Sequence, residues 1–336
     1  MTDSMLDFPA KNYKRWPTVA NYAVGCDMKS EIERVASMLT IDPLRDPQGY
    51  VRQARLLSAQ LPWALRETVV DFETYGDGGL LVTGLEVGSV AATPDSPAND
   101  VTHNTPIAAA SALLLACIAN LVGYRAESWG RICQSVIPTK GDASQQKSTG
   151  SRVCLECHTE QAFNLLTRPD YVALGCLRGD PHAATFMLSA RALQEHLPSS
   201  VVGLLREPMF NTRIDQSFIE GGVPDEVRGP IPVLSGALED PVITFDEDLM
   251  WGNSPKHQAA LEMVKTVWAD HRSSVVLKRG DVLIIDNSRA IHGRSAFRPR
   301  WDGGDRWLCR LQGVCDLTRT RDARRPQSPV IEIRGC

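Results

Sequence analysis

Two side chains that can bind a metal ion stand close together in Cys154-Leu155-Glu156-Cys157-His158-Thr159-Glu160. Successive side chains of an extended strand point to opposite faces, so this spacing predicts that His158 and Glu160 project to the same side while Thr159 points away. One imidazole and one carboxylate make a metal site only if a third ligand arrives from elsewhere. The fold must then return a distant segment to this strand, and that requirement constrains it strongly.

A histidine beyond a second predicted strand can be that third ligand. The apolar residues 282–285 predict a buried strand, and His292 follows within Asp286-Asn287-Ser288-Arg289-Ala290-Ile291-His292-Gly293-Arg294. Two histidines and one carboxylate on one face of an ion, with the opposite face open, are typical of non-haem Fe(II) oxygenases. For His158 and Glu160 taken alone, a polar pair on a sheet is the alternative, and the segment around His292 favours the metal site.

The pattern Cys-x-x-Cys-His in the first stretch is also typical of covalent haem attachment. Haem attachment of this kind belongs to exported proteins, and residues 1–7 show no basic segment followed by an apolar one. A zinc site would need a second close cysteine pair, which the sequence does not offer at suitable spacing. We therefore interpret Cys154 and Cys157 as thiols on a core strand.

Composition limits the kinds of partner. The chain has 336 residues, of which 43% are apolar, and a net charge of −4 with acids and bases interspersed, which argues against a nucleic-acid partner. The apolar run 107–122 is short for a membrane span and contains Ser111 and Asn120, so it predicts a buried helix and no membrane partner. Nine scattered cysteines and the missing export signal predict reduced thiols and a cytoplasmic location. We expect a small-molecule substrate, and the sequence does not indicate an oligomeric state.

The predicted secondary structure changes from helical to mainly β along the chain. Helices are predicted from Ser30 to about Leu39, from Pro47 to near Pro62 with Asp46 as N-cap, and from Pro106 to near Gly123. The later elements are predicted as strands at 80–87, 133–137, 153–160, 171–177, 184–189, 242–249, 274–277, 282–285 and 306–316, with a hairpin-like turn at 278–281 and helices at 190–197 and 256–271.

This order predicts a single domain of mainly β with α class. A helical part at about 1–125 packs on a sandwich or barrel-like core at about 126–325. The polar run 211–229, with Gly221, Gly222 and Pro224, is long enough to predict a lid over a site.

Two arginines near the end of the core point to anionic ligands. Arg306 and Arg310 differ by an even number, so on a strand they share a face, and we expect this to be the face of the metal. Two guanidinium groups directed into one cavity require anionic partners.

These stretches together resemble the clavaminate synthase-like family of Fe(II)/2-oxoglutarate oxygenases, which includes asparagine oxygenase and the arginine hydroxylases of peptide-antibiotic pathways. The matching stretches are 158–163, 286–294 and 302–308, and weaker similarity covers about 80–319. Glu160 is informative, because the wider superfamily usually has aspartate there. The resemblance implies a double-stranded β-helix (jelly-roll) core with N-terminal helices packed on it.

The resemblance also implies which residues hold the iron and the co-substrate. His158, Glu160 and His292 match the iron ligands. Arg306 matches the arginine that grips the distal carboxylate of 2-oxoglutarate, and Thr185 matches the threonine that hydrogen-bonds the same carboxylate. A planar guanidinium pairs with a carboxylate through two parallel hydrogen bonds, which fixes its orientation.

A second set of residues matches the family's substrate contacts. Arg310 falls where the family holds the α-carboxylate, with a structural ion pair as the alternative. Asp246 and Asp248, two apart on a predicted strand, match an Asp-x-Asp that binds the substrate guanidinium in the arginine hydroxylases, with a solvated acidic turn as the alternative. Glu127 matches another side-chain contact, and Ser148 matches a contact near the amino end of the substrate.

The implied activity is hydroxylation of an L-amino acid at C3 or C4, using Fe(II), 2-oxoglutarate and O2, in specialised metabolism such as antibiotic biosynthesis. A free basic amino acid of the arginine or lysine type is the expected substrate. Gln161 stands where the arginine enzymes have an acid, so the identity of the amino acid stays open. The alternatives are an aminoacyl group tethered to a carrier protein, desaturation in place of hydroxylation, and a non-catalytic binding module on the same fold.

Overall fold

The computed structural model describes residues 16–99 and 101–333. The helices are α1 (Cys26–Ser37), α2 (Pro47–Ser58), α3 (Trp63–Tyr75), α4 (Pro106–Ala116), α5 (Ala190–Glu195), α6 (Ser199–Leu205), α7 (Gln216–Glu220) and α8 (Pro255–His271). The strands are β1 (Val19–Ala23), β2 (Gly79–Thr83), β3 (Asn120–Tyr124), β4 (Gln134–Val136), β5 (Leu155–His158), β6 (Tyr171–Arg178), β7 (Ala184–Ser189), β8 (Phe210–Thr212), β9 (Arg228–Ile231), β10 (Leu234–Gly236), β11 (Pro241–Ile243), β12 (Met250–Gly252), β13 (Ser273–Val276), β14 (Val282–Asp286), β15 (Ala290–Arg294), β16 (Trp307–Val314) and β17 (Val330–Ile331).

Two sheets face each other and enclose the core. The larger sheet has the strand order β1-β2-β14-β6-β16-β3-β17, with β4 also paired to β16, and the smaller has the order β13-β7-β15-β5. Side chains of the two facing surfaces pack together, among them Leu283 and Leu308 from the larger sheet and Met187 and Ala290 from the smaller. The neighbours within each sheet come from distant parts of the chain, and the predicted double-stranded β-helix is confirmed.

Helices cover the outer faces of both sheets. On β14, Leu283 and Ile285 point to the smaller sheet, while Val282 and Ile284 pack with the helices of the N-terminal part. Close contact of α4 with β6 depends on Gly175, because a Cβ there would lie 2.4 Å from the hydroxyl of Ser111. Helix α8 covers the smaller sheet in the same way, through an apolar cluster that includes strands β7 and β15. The larger sheet therefore packs against helices on one face and against the smaller sheet on the other.

The N-terminal part contains more sheet than predicted. Strand β1, which the sequence analysis missed, pairs in parallel with β2, and β2 ends at Thr83, short of the predicted Val87. The apolar run 107–122 is not one helix, since α4 ends at Ala116 and β3 begins at Asn120. An apolar run alone does not separate a buried helix from a buried strand. Among the described residues no helix is long and apolar enough to span a membrane.

The predicted helix starts were right in one case and wrong in another. Helix α2 begins as predicted, with the Asp46 carboxylate accepting a hydrogen bond of 2.8 Å from the backbone N–H of Gly49. Helix α1 begins at Cys26, before the predicted Ser30, and its N-cap residue is Gly25. The capping-box pattern at Ser30 is thus an internal part of a longer helix.

Three predictions in the second half also need correction. The strand predicted over 242–249 ends at Ile243, and residues 247–249 form a turn, because the Asp246 carboxylate accepts hydrogen bonds from the backbone N–H groups of Asp248 and Leu249. The turn at 278–281 does not close a hairpin, since β13 and β14 belong to different sheets. The run 211–229 contains the end of β8, all of α7 and the start of β9.

Candidate active site

A cavity of about 590 Å³ is lined by residues of both sheets and of α7. Every residue that the sequence analysis assigned to the site lines it: Glu127, Ser148, His158, Glu160, Thr185, Asp246, Asp248, His292, Arg306 and Arg310. The fold therefore brings together residues that span almost two hundred positions of the sequence.

Two histidines and one glutamate form a compact cluster in this cavity. His158 and His292 face each other across β5 and β15, with ring centroids 4.6 Å apart. One donor atom each from His158, Glu160 and His292 all lie within 4.8 Å of one another, and no other such group occurs among residues 16–99 and 101–333. Nε2 of His292 is 3.6 Å from the Glu160 carboxylate, and Nδ1 of His158 bonds to the Glu156 carbonyl oxygen at 2.8 Å. A metal-binding histidine typically has its second nitrogen held in this way, so the donor set fits one ion.

Glu160 does not reach the cluster in the predicted manner. Strand β5 ends at His158, so the alternation of a strand does not set the direction of the Glu160 side chain. Glu160 begins a turn in which Gln161 has a positive φ of 54°. The side chain of Asn287 bonds to both peptide groups of Glu160 and holds this turn in place.

The ionisation of the cluster favours a cation. Burial raises the pKa of Glu160, but the guanidinium of Arg310 and the two imidazoles outweigh burial and lower this pKa to about 2. Burial lowers the pKa of His292. Burial has the same effect on His158, but there the carboxylates of Glu160 and Asp246 prevail and raise the pKa. Binding of a metal ion would displace that proton and satisfy the buried carboxylate.

Arg306 marks one end of the cavity. Its side chain is buried, and burial lowers its pKa to about 10. No carboxylate lies within ion-pair distance of Arg306 in the described part of the chain, where the more distant charge of Asp180 acts on it, and the ring of Phe297 lies 5.9 Å from its guanidinium carbon. Thr185, which is also buried, lines the same cavity. An uncompensated buried charge is costly, so this end is built for an anion.

Arg310 has partners within the protein. Its guanidinium forms an ion pair with Glu127 and donates hydrogen bonds of 3.0 and 2.6 Å to the side-chain oxygen of Gln134. It also lies 3.6 Å from the carboxylate of Glu160. Burial lowers the pKa of Arg310, but the charges of Glu127 and Glu160 outweigh burial and raise it. Arg310 therefore forms the structural ion pair that was the alternative to substrate binding, and its side chain also lines the cavity.

Carboxylates dominate the rest of the lining. Asp246 is buried, and its peptide forms an isolated bridge with that of His158, while Asp248 is exposed at the rim. The predicted reason for their pairing, a shared strand face, is wrong, because both lie at the turn that follows β11. Asp215, which the sequence analysis missed, is half-buried beside them just before α7. Burial and then the charge of Asp246 raise the pKa of Asp215 to about 7, as expected where acids crowd together without a cation.

A double-stranded β-helix that carries two histidines and a carboxylate at a cavity with open coordination positions defines a mononuclear non-haem iron oxygenase. Residues 120–312 match the profile of the family described as Taurine catabolism dioxygenase TauD, TfdA family. The chain belongs to this family, whose dioxygenases use Fe(II), 2-oxoglutarate and O2, and the predicted cofactors are confirmed.

Individual relatives extend over most of the chain. L-lysine 3-hydroxylase of Catenulispora acidiphila is 43% identical over 312 residues, which are 91% of this chain and 87% of the relative. Clavaminate synthase 2 of Streptomyces clavuligerus is 34% identical, over 84% of this chain and 89% of the relative. The crystal structure of asparagine oxygenase with Fe(II), 2S,3S-3-hydroxyasparagine and succinate has a TM-score of 0.87 and 29% identity, and covers 93% of this chain and 99% of that one. The predicted resemblance to clavaminate synthase and asparagine oxygenase is confirmed.

Proposed function

We propose that this protein hydroxylates the side chain of a free basic L-amino acid, with L-lysine as the first candidate, at C3 or C4. The excess of carboxylates beyond the metal cluster carries the proposal, because no cation in the described part of the chain lies close enough to balance the charges of Asp215, Asp246 and Asp248 together. The identity to a lysine 3-hydroxylase supports the same substrate class.

The three clustered donors hold Fe(II), and Arg306 receives the co-substrate. His158, Glu160 and His292 would be its protein ligands. The unpaired guanidinium of Arg306 pairs with the distal carboxylate of 2-oxoglutarate, and the hydroxyl of Thr185 donates to the same carboxylate. When bound, iron and 2-oxoglutarate together supply the oxidising chemistry that inserts an oxygen atom from O2 into a C–H bond. The chain's own residues decide which C–H bond is presented.

Arg310 and Glu127 recognise the common part of an amino acid. A free amino acid carries one positive and one negative charge, and this pair of side chains offers the opposite charges side by side. Arg310 binds the α-carboxylate, Glu127 contacts the ammonium side, and Ser148 lies near the amino end of the substrate. When an amino acid enters, the ion pair between Arg310 and Glu127 is replaced by two ion pairs with the substrate, so neither side chain is left unpaired.

The acids at the far end of the cavity select the side chain. Asp246 and Asp248 bind the ε-ammonium of lysine, and Asp215 faces the same space from α7. A cation at this position would restore the charge balance that the crowded carboxylates lack. With both ends of lysine held, the carbon atoms between them pass the metal cluster, and the anchoring acids set which of C3 or C4 lies closest.

The segment 211–229 closes the cavity as a lid over a single oxygenase domain. Helix α7 contributes Ser217 and Phe218 to the lining, and Lys147 on the opposite loop donates hydrogen bonds of 2.8 and 2.7 Å to the Glu220 carboxylate. Closure excludes water while the substrate is held. We place the protein in the cytoplasm, where free amino acids and 2-oxoglutarate are made.

Succinate release under Fe(II), 2-oxoglutarate and air tests the proposal. We expect lysine to stimulate release most, followed by arginine and ornithine, and mass spectrometry to show a product heavier by one oxygen atom. Norleucine is the matched control, since it keeps the chain length of lysine and lacks the charge. Equal stimulation by lysine and norleucine would overturn the proposed substrate class.

The acids are tested by changing Asp246 and Asp248 together to Asn. We expect kcat/KM for lysine to fall about 10–100-fold, because hydrogen bonds to charged groups contribute roughly 1.5–3 kcal/mol. Residual turnover of norleucine should be unchanged, because it makes no use of a negative charge. Equal losses for both substrates would assign the acids to a solvated turn with no role in binding.

A further inference from the structure

Asn287 is a fully buried asparagine at the end of β14. Its side-chain oxygen accepts a hydrogen bond of 2.7 Å from the backbone N–H of Glu160, and its side-chain nitrogen donates one of 3.1 Å to the carbonyl oxygen of the same residue. The two residues lie 127 positions apart in the sequence. One amide group thus holds both peptide groups of a residue that points into the metal cluster.

Glu160 needs this support because the sheet does not supply it. Strand β5 ends two residues earlier, and in the ladder that pairs β5 with β15 the registered partners of β15 are His158 and Leu155. A positive φ at the next residue, Gln161, places Glu160 at the start of a turn. A glutamate has three side-chain torsions, so the direction of its carboxylate depends on how firmly its own backbone is fixed.

Asn287 is itself anchored on the opposite side. Its side-chain nitrogen donates a second hydrogen bond of 2.8 Å to the carbonyl oxygen of Pro169, and its backbone N–H donates one of 2.9 Å to the carbonyl oxygen of Asp170. Residues 286–289 form a turn closed by hydrogen bonds from Ser288 and Arg289 to the Asp286 carboxylate. The same turn leads directly into β15, which carries His292.

We infer that Asn287 is a positioning residue that fixes the Glu160 carboxylate relative to His292 for binding of the metal ion. The inference rests on the proposed role of Glu160 as an iron ligand. An amide suits this position, because its one acceptor oxygen and two N–H donors match the three hydrogen bonds that the Asn287 side chain makes. Aspartate keeps the acceptor for the Glu160 N–H but loses both donors, and alanine loses all three hydrogen bonds.

Titration of the metal-free protein with Co(II) tests the inference without relying on turnover. We expect Asn287→Ala to weaken Co(II) binding by about tenfold to a hundredfold, as loss of a group that orients a ligand typically does. The visible absorption spectrum of the bound Co(II) should also change, because it reports the number and geometry of the ligands. Asn287→Asp should lie between wild type and Asn287→Ala, and it serves as the readout if the alanine variant does not fold.

Asn120→Ala is the matched control. Asn120 also bonds through its side-chain nitrogen to backbone carbonyls, those of Val314 and Cys315, but it lies outside the cavity. We expect this variant to lower the melting temperature of the metal-free protein without changing Co(II) affinity or spectrum. Equal affinity in wild type and Asn287→Ala, or an equal loss in Asn120→Ala, would overturn the positioning role.

A failure of the inference remains distinct from a failure of the proposed function. His158→Ala and His292→Ala should abolish Co(II) binding if the cluster holds the metal. If they leave Co(II) binding intact, the metal site itself is wrongly assigned. If they abolish it while Asn287→Ala binds like wild type, only the role of Asn287 is lost.

Discussion

Arg306 directly precedes β16 and Arg310 lies within it; both are buried and both line the same cavity, yet their surroundings are opposite. Arg310 contacts Glu127, Gln134 and Glu160, whereas Arg306 has no carboxylate partner among the residues that the structure describes. A buried guanidinium without a partner is costly to the folded protein. Arg306 thus remains available to an anion from solution, while the charge of Arg310 is already balanced by carboxylates of the protein.

The same contrast extends to the two ends of the cavity as a whole. Beside Arg306 the lining includes the neutral hydroxyl of Thr185 and a second buried arginine, Arg294. Beyond Arg310 it contains the acids Asp215, Asp246 and Asp248. A molecule with two carboxylates suits the first end and a molecule with an additional cation suits the second, as the proposed binding of 2-oxoglutarate and a basic amino acid requires.

The largest effect is expected from Arg306→Gln, which removes the unpaired charge. The concentration of 2-oxoglutarate needed for half-maximal rate should rise steeply, because loss of one partner of a buried charge pair costs roughly 3–5 kcal/mol. The melting temperature of the metal-free protein should rise, since a buried charge without a partner has gone. Unchanged dependence on 2-oxoglutarate would remove Arg306 from the co-substrate site.

Arg310→Gln should have the opposite effect on stability. It leaves Glu127 without its partner, and breaking a buried pair destabilises by about 3 kcal/mol or more, measurable as the free energy of unfolding in urea. Adding Glu127→Gln should recover part of that loss, because the second change removes the orphaned carboxylate. If Arg306→Gln and Arg310→Gln destabilise the metal-free protein equally, the contrast between the two arginines does not hold.

Asp215→Asn tests the excess of acid at the substrate end through pH. The pKa of Asp215 is raised to about 7 in the folded protein, against about 3.9 in an unfolded chain. Since the folded state binds the extra proton, this group favours folding below about pH 4, and the contribution is lost as pH rises through 7. The metal-free variant should therefore melt at a higher temperature than wild type at pH 8 and at nearly the same temperature at pH 4.

The control for this pH comparison is Asp270→Asn, which alters an exposed acid on α8. We expect its melting temperature to follow that of wild type across the whole range. If the melting temperatures of wild type and Asp215→Asn depend on pH in the same way, the acids near α7 do not repel one another.

The smallest effect is expected at the mouth, where Lys147 is a cation beside the acid-rich end. Lys147→Met breaks the ion pair with Glu220, whose side chain is 52% exposed. The free energy of lid closure should therefore change by less than about 1 kcal/mol. KM for lysine should rise a few-fold and lose part of its dependence on salt. Lys29→Met, which breaks the remote pair with Glu86, is the control, and equal changes in both variants would exclude a role in closure.

The chemistry of the site could be predicted from the sequence better than its backbone. Imidazoles, a carboxylate and guanidinium groups have few roles when they recur at such spacings, so residue type and family resemblance predict one site for His158, His292, Arg306 and Arg310, and all four line the same cavity. The backbone at Glu160 was not, because the end of β5 and the positive φ of Gln161 depend on contacts with Asn287, which is distant in sequence. The pair Asp246 and Asp248 shows the same limit, since a local turn replaces the expected strand.

The fold shows a similar division. The change from helices to short strands predicts a helical layer on a sandwich or barrel-like core, since burial periodicity is a local property, and the family resemblance implies the jelly roll. Assignment of strands to sheets is not local, which is why the sequence predicts a hairpin-like turn between β13 and β14 although these strands lie in different sheets. Asp215 was missed for a related reason. A single acid in a polar segment has no periodic pattern to mark it, and Asp215 lines the cavity only because α7 packs there.

The register that sets His158 opposite His292 also sets the moment during synthesis at which the proposed metal site is first complete. During synthesis, β5 leaves the ribosome long before β15, so the growing chain offers only isolated donors, which hold divalent ions weakly. Nitrogen and oxygen donors generally bind copper and zinc more tightly than ferrous iron, and an early, complete site would expose the nascent chain to those ions. Since the last strand of the site must pair between β5 and β7 first, the choice of metal falls to the finished protein and to the ions available in the cell at that time.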